Sequence, residues 1–317
     1  MEIHMTLDPQ CQALIDMVNQ AGGPPFDAGS VVAAREAYRS TIALYEHPTP
    51  NLAKVRDEQI SGPDDNTIRL RIYIPEQNKL RGACVFFHGG GWAVGDLDTH
   101  DHVCRYLSGH GEIVVVSVDY RLAPEHPFPA ALDDCVHAIR WTNNNADDLN
   151  IDPMRIAVAG DSAGGNLAAA CCLGLRDDNA VNIKHQLLIY PACDFTASHP
   201  SMQENGEGYL LTSSAMEQFT NWYLPNSALR TNFLASPQLA PSHASLPSAT
   251  VITAGYDPLR DEGAHYAQTL KTAGISTEHL SYDGMVHGFL RMGAKLDVAL
   301  TALHDVTQKL VAGLADN

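Results

Sequence analysis

Five short, nearly unbroken apolar runs recur along the chain, at residues 83–87, 113–118, 156–159, 187–190 and 249–253. Each is too short for an ordinary helix, and none shows the alternation of a strand with one wet face. Continuous hydrophobicity over four to six residues marks strands covered on both sides. Helical patterns lie between them, as at residues 130–142 and 166–175. Strand–helix alternation of this kind predicts a mostly parallel central sheet flanked by helices, an α/β fold.

Three stretches depart from that rhythm. Residues 55–60, the turn Gly62-Pro63-Asp64-Asp65-Asn66 and residues 68–74 read as an antiparallel pair near a sheet edge, because Ile68, Leu70, Ile72 and Ile74 alternate with Arg69, Arg71 and Tyr73. The first fifty residues read as two helices. Leu14, Ile15 and Val18 mark the first, and the second covers about residues 30–44, beyond the break at Gly22-Gly23-Pro24-Pro25. Between about Asp194 and His243 a helical pattern (Met216, Phe219, Tyr223) replaces any buried strand, which reads as an insertion above the C-terminal edge of the sheet.

Composition narrows the function. A chain of 317 residues with 45% apolar residues can bury a large core, and its net charge of −17 repels phosphate backbones and anionic headgroups. Nucleic-acid and membrane partners are therefore excluded as expectations. Seven cysteines, an odd number with no C-x-x-C, argue against structural disulfides and a thiolate zinc site. The N-terminus lacks the basic and apolar regions of a secretory signal, and no apolar run spans a bilayer, so a cytoplasmic protein is expected.

The chemistry concentrates in four places. Gly160-Asp161-Ser162-Ala163-Gly164 is a G-x-S-x-G motif between an apolar strand and a helical pattern. A serine on such a sharp turn stands at a helix N-terminus, where developing negative charge is favoured. His88-Gly89-Gly90-Gly91-Trp92 follows the first apolar run. Its glycines can turn backbone N–H groups toward a pocket, so Gly89 and Gly90, with Ala163, are candidate oxyanion donors.

An acid and a base should follow the serine in the chain. Asp257 stands just beyond the run 249–253, whereas Asp261 and Glu262 read as part of the next helix. Asp257 is also a candidate N-cap, with Pro258 at the first helical position. His287 lies in the glycine-flanked segment Asp283-Gly284-Met285-Val286-His287-Gly288-Phe289, after a strand at residues 277–282. His88 precedes the serine and suits loop shaping. His265 and His304 fall inside helical patterns, and the H-x-H of His100 and His102 reads as surface histidines rather than a metal site.

With Gly95-Asp96-Leu97-Asp98-Thr99-His100-Asp101 and the segment from Asp119 to Ala130, these motifs resemble the hormone-sensitive-lipase-like branch of the α/β-hydrolases, of the bacterial acetyl esterase and carboxylesterase type. The resemblance implies one catalytic α/β-hydrolase domain with a helical cap made by about residues 1–50 and 195–240. It implies a serine carboxylesterase for short- to medium-chain acyl esters with no metal or organic cofactor, and a possible homodimer. Its triad would be Ser162, Asp257 and His287. An amidase or deacetylase on the same triad is the nearest alternative, and a non-catalytic receptor on this fold a more remote one. Trp92, Phe195, Tyr209, Leu210, Met216, Phe219 and Trp222 are the expected pocket residues, each equally able to pack the cap onto the core.

Overall fold

The computed structural model describes residues 6–22, 29–42, 47–76, 79–196 and 199–315. One eight-stranded sheet, in the order β1-β2-β4-β3-β5-β6-β7-β8, organises the chain. Its strands are β1 (Lys54–Ser61), β2 (Thr67–Ile74), β3 (Arg81–Phe87), β4 (Val114–Asp119), β5 (Ile151–Asp161), β6 (Ile183–Ile189), β7 (Ser248–Tyr256) and β8 (Thr277–Val286). The β1–β2 and β2–β4 pairs are antiparallel, and every pair from β4 to β8 is parallel.

Helices of ten residues or more are α1 (Pro9–Ala21), α2 (Val31–Ser40), α3 (Asp101–Gly111), α4 (Ala130–Asn144), α5 (Ala163–Leu175), α6 (Ser213–Tyr223), α7 (Arg260–Thr272) and α8 (Asp297–Leu314). The unbroken apolar runs now have a physical cause. Val85 and Phe87 of β3 face a core shared with α4, α5 and α7, whereas Cys84 and Phe86 face one shared with α1, α3 and α8. Both side-chain rows are dry, so neither can be polar. On β2 the alternation holds instead: Ile68, Leu70 and Ile72 are buried, and Arg69 and Arg71 pair with Asp119 and Asp57.

Several element boundaries differ from the sequence reading. The helix after Ser162 begins at Ala163 rather than Asn166, because Ala163, Gly164 and Gly165 carry no periodic signal. Strand β8 runs on to Val286, since an edge strand with a polar face shows little hydrophobic pattern. The second N-terminal helix ends at Ser40, and residues 43–44 of its expected span lie outside the described residues.

The reading of His100 and His102 as surface residues is overturned. Both are buried, and burial holds their imidazoles neutral, down to about 4 and about 3. They do point to different sides, as their spacing requires, but both sides are covered. His100 precedes α3 and turns toward Asp161, while His102 meets the Arg291 carbonyl through Nε2 at 3.1 Å. All seven cysteines are free and buried. Among the described residues, no helix is long and apolar enough to cross a membrane.

Candidate active site

Strand β5 ends at Asp161, and α5 begins at Ala163, leaving Ser162 alone on the turn with φ 57° and ψ −117°. A serine held at positive φ stores strain of about 1–3 kcal/mol, so neighbours must impose it. The Ser162 N–H donates to the Ile189 carbonyl of β6 at 2.8 Å, and its carbonyl accepts from the Asn166 N–H at 3.0 Å. The flanking glycines let the helix close on the sheet. A Cβ on Gly160 would lie 2.6 Å from the Phe87 carbonyl oxygen, and one on Gly164 would fall still deeper inside that atom's contact distance.

Strands β7 and β8 deliver the other two side chains to the same sheet end. His287 directly follows β8, and Asp257 directly follows β7. The Ser162 Oγ lies 2.9 Å from His287 Nε2, and His287 Nδ1 lies 2.7 Å from Asp257 Oδ2. Asp257 is fully buried, and its other oxygen accepts the Leu259 N–H at 2.8 Å. The carboxylate orients the imidazole with one oxygen and holds the turn before α7 with the other, but it is not the N-cap: α7 begins at Arg260, with Leu259 at the cap position. Asn205 supports the backbone beneath, donating to the Gly255 and Asp257 carbonyls, each at 3.2 Å.

The rival carboxylates are occupied elsewhere. Asp261 accepts from the Ser201 N–H and Arg260. Glu262 accepts the Cys193 N–H at 2.5 Å and that of Asp194 at 3.3 Å, and burial pushes it up to about 8. The Tyr190 ring backs the imidazole, its centroid 4.7 Å from that of His287.

The glycine loop differs from expectation by one residue. The Gly89 N–H is taken, donating to Asp161 Oδ1 at 2.8 Å. The Gly89 carbonyl meets His88 Nδ1 at 2.9 Å, and the Gly90 carbonyl accepts from Ala93 N at 3.1 Å and Val94 N at 2.9 Å. In a trans peptide the N–H points opposite to the C=O. The Gly90 N–H therefore faces away from the His88 ring, and the Gly91 N–H away from the 93–94 turn. Among the described residues neither amide has a backbone acceptor. Gly90, Gly91 and Ala163 are the available donors, and Gly89 is withdrawn from the expected set. His88 shapes this loop, its ring stacked 4.3 Å from Tyr120, whose hydroxyl donates to the His88 carbonyl at 2.7 Å.

A family profile described as alpha/beta hydrolase fold matches residues 84–291. The carboxylesterase NlhH of Mycobacterium tuberculosis is 41% identical over 274 residues, 84% of this chain and 86% of that one. This chain belongs to the hormone-sensitive-lipase-like branch of the α/β-hydrolases. An arylesterase of Saccharolobus solfataricus is 36% identical over 303 residues, covering 94% of this hydrolase and 98% of that protein. The structure of an ester hydrolase from the Lake Arreo metagenome superposes with a TM-score of 0.93 at 39% identity, over 97% of this hydrolase and 99% of that chain.

The expected pocket residues of this hydrolase separate into groups. Trp92 is 1% exposed and stacks on Tyr223 at 4.7 Å, with Phe195 against it at 5.1 Å. These two rings pack beneath the loop. Phe219 of α6 lies directly over Gly91, where a Cβ would collide with its ring. Trp222 meets Phe219 edge-on at 5.9 Å, and Met216 and Trp222 are half-buried against the core. Half-buried Tyr209 lies 4.9 Å from the Tyr256 ring, beside Asp257, and Leu210 packs with the same core.

Sequence reasoning missed Asp161, His100 and Arg291. Asp161 was visible as an acid at the end of a buried strand, a position that demands a partner. Its partners come from residues 89 and 100, so local pattern could not supply them.

Proposed function

We propose that Ser162, His287 and Asp257 form the catalytic triad of a serine carboxylesterase acting on short- to medium-chain acyl esters. The observation that carries this reading is the unbroken chain of hydrogen bonds from Asp257 through His287 to the strained Ser162. Ser162 Oγ attacks the ester carbonyl carbon as His287 Nε2 takes its proton. The oxygen charge that develops is met by the N–H groups of Gly90, Gly91 and Ala163. The imidazolium, stabilised by Asp257, then protonates the leaving alcohol, and water releases the acid from Ser162 with His287 again as base. Positioned amides count heavily here, because loss of one such donor costs about 2.7–4 kcal/mol.

We read α2 and α6 as parts of a cap. Ala34 of α2 and Ala215 and Phe219 of α6 share one cluster with Ala93 and Val94 of the glycine loop. Phe219, pressed on Gly91, then limits the space for the acyl or alcohol group. A series of p-nitrophenyl esters from acetyl to palmitoyl tests the substrate reading. Turnover should peak between acetyl and octanoyl, and a peak at palmitoyl would refute it.

The acid assignment has its own test. Asp257→Asn should lower kcat by about 10⁴-fold, since the amide favours the wrong imidazole tautomer. Asp261→Asn should leave kcat within about threefold, because its contacts end on Arg260 and Ser201, outside the proton path. A larger loss in Asp261→Asn would reverse the assignment.

A further inference from the structure

Asp161 is a buried carboxylate directly before the nucleophile, and the mechanism above leaves it without a task. Its surroundings are built around it. Oδ1 accepts the Gly89 N–H at 2.8 Å, and His100 Nε2 stands 3.1 Å from the same oxygen and 3.4 Å from Oδ2. Gly89 must be glycine for this approach, since a Cβ there would lie 2.8 Å from the Asp161 carbonyl oxygen and closer to its carboxylate. His100 is itself fixed, with Nδ1 2.9 Å from Thr99 Oγ1. Its Nε2 faces a carboxylate, which can only accept, so a neutral His100 carries its proton on Nε2 and donates to Asp161.

A buried cation completes the set. Arg291 lies four residues beyond His287, its guanidinium 4.6 Å over the Tyr38 ring and Nη1 bonded to the Tyr38 hydroxyl. The Tyr38 ring in turn stacks near His100, with centroids 6.5 Å apart. Burial works against ionisation of Asp161, but His100, Arg291 and the Gly89 N–H outweigh it and hold the carboxyl down to about 2. The surroundings of Asp161 thus favour its carboxylate form.

Keeping a charge in such a place costs several kcal/mol before compensation. A plain structural strut needs no such charge. What the anion grips is the one unit of the glycine loop that no side chain of the loop can hold. The next two peptides are pinned through their carbonyls, by His88 and by the 93–94 amides. The first is held at both ends, its His88 carbonyl by the Tyr120 hydroxyl at 2.7 Å and its Gly89 N–H by Asp161 at 2.8 Å. We propose that Asp161 is a positioning residue for ester hydrolysis, whose grip on the Gly89 N–H aims the Gly90 and Gly91 amides at the oxyanion. The proposal rests on the esterase reading above.

The test compares Asp161→Asn, which keeps an acceptor for Gly89, with Asp161→Leu, which is of similar shape and keeps none. Active sites are first counted with a reactive phosphonate ester, so that loss of folded protein does not register as slow turnover. Per titrated site, Asp161→Leu should lose about 10- to 100-fold in kcat on p-nitrophenyl acetate with KM within about threefold, a share of what a lost oxyanion donor costs. Binding of a trifluoromethyl ketone, which adds to Ser162 as a tetrahedral oxyanion, should weaken by the same factor. Asp161→Asn should recover most of both. If Asp161→Leu yields no titratable sites, Asp161→Ser, too short to reach Gly89, carries the same expectation. Unchanged kcat per site, or a loss confined to KM, would overturn the proposal while leaving the esterase reading intact. A wild-type enzyme that turned over no ester would remove both.

Discussion

Ser162→Ala is expected to lower kcat on p-nitrophenyl butyrate by roughly 10⁶-fold, and adding His287→Ala should cost almost nothing more. The two side chains share one proton across 2.9 Å. His287 contributes by making Ser162 Oγ a nucleophile, so without that oxygen the imidazole has nothing to activate. The remaining rate, about 10³–10⁴ over water, would come from the Gly90, Gly91 and Ala163 amides and from substrate binding. Steady-state kinetics on the two single variants and the double variant closes the cycle. Losses that multiply would mean that the residues act on separate steps, and the triad assignment would fail. A Ser162→Ala variant with substantial turnover would place the nucleophile elsewhere.

Much of this site was legible because its parts lie where local pattern speaks. The run at residues 156–159 ends where glycines begin, and a serine between glycines after a buried strand has few structural uses. Asp257 and His287 were picked by the same logic, each next to a strand end, in the chain order Ser, Asp, His of α/β-hydrolases. The fold was legible too, since a strand buried on both faces, such as β3 from Ala83 to Phe87, carries no polar residue there to hide its pattern.

What escaped the sequence depends on contacts across long separations. Gly89 was assigned as a donor because three glycines in a row look equivalent. They are distinguished only by Asp161, 72 residues away, which takes the first N–H. His100 and His102 looked exposed because polar residues at a helix start usually are. Tyr38, Phe86 and His88 close around His100, and His47 and the Arg291 carbonyl meet His102. Trp92 lies within the glycine motif and was read as equally able to line the pocket or to pack the cap onto the core, and only the distant Tyr223, on which its ring stacks, shows the packing contact. No local signal separates these outcomes, because each is decided by which distant element arrives.

Gly164→Ala should be strongly damaging in this enzyme, and Gly174→Ala in the same helix should be mildly stabilising. Both glycines belong to α5, and both variants add one methyl group. At Gly164 the new Cβ would enter the Phe87 carbonyl oxygen and lie 2.8 Å from that of His88. Both obstacles are backbone of β3 and the loop entrance, so no side chain can swing aside. Helix α5 must retreat, or the loop that carries the oxyanion amides must shift. Overpacking of this kind costs about 3 kcal/mol or more. A stability loss of that size should lower Tm by about 5 °C. The fraction of sites titrated by a phosphonate should fall with it, because the elbow itself is displaced.

At Gly174 the nearest atom to a new Cβ is Leu234 Cδ2 at 3.8 Å, an ordinary contact, and the position is exposed. Alanine there removes only the entropy that glycine loses on folding, a gain of about 0.5–1 kcal/mol. Thermal unfolding and active-site titration on both variants decide the matter. Opposite signs at two positions of one helix would show that Gly164 is required for close approach of the elbow to β3. Equal Tm values for the wild type and Gly164→Ala would mean that β3 and α5 can separate without cost. In that case the strain at Ser162 could not be imposed by that contact.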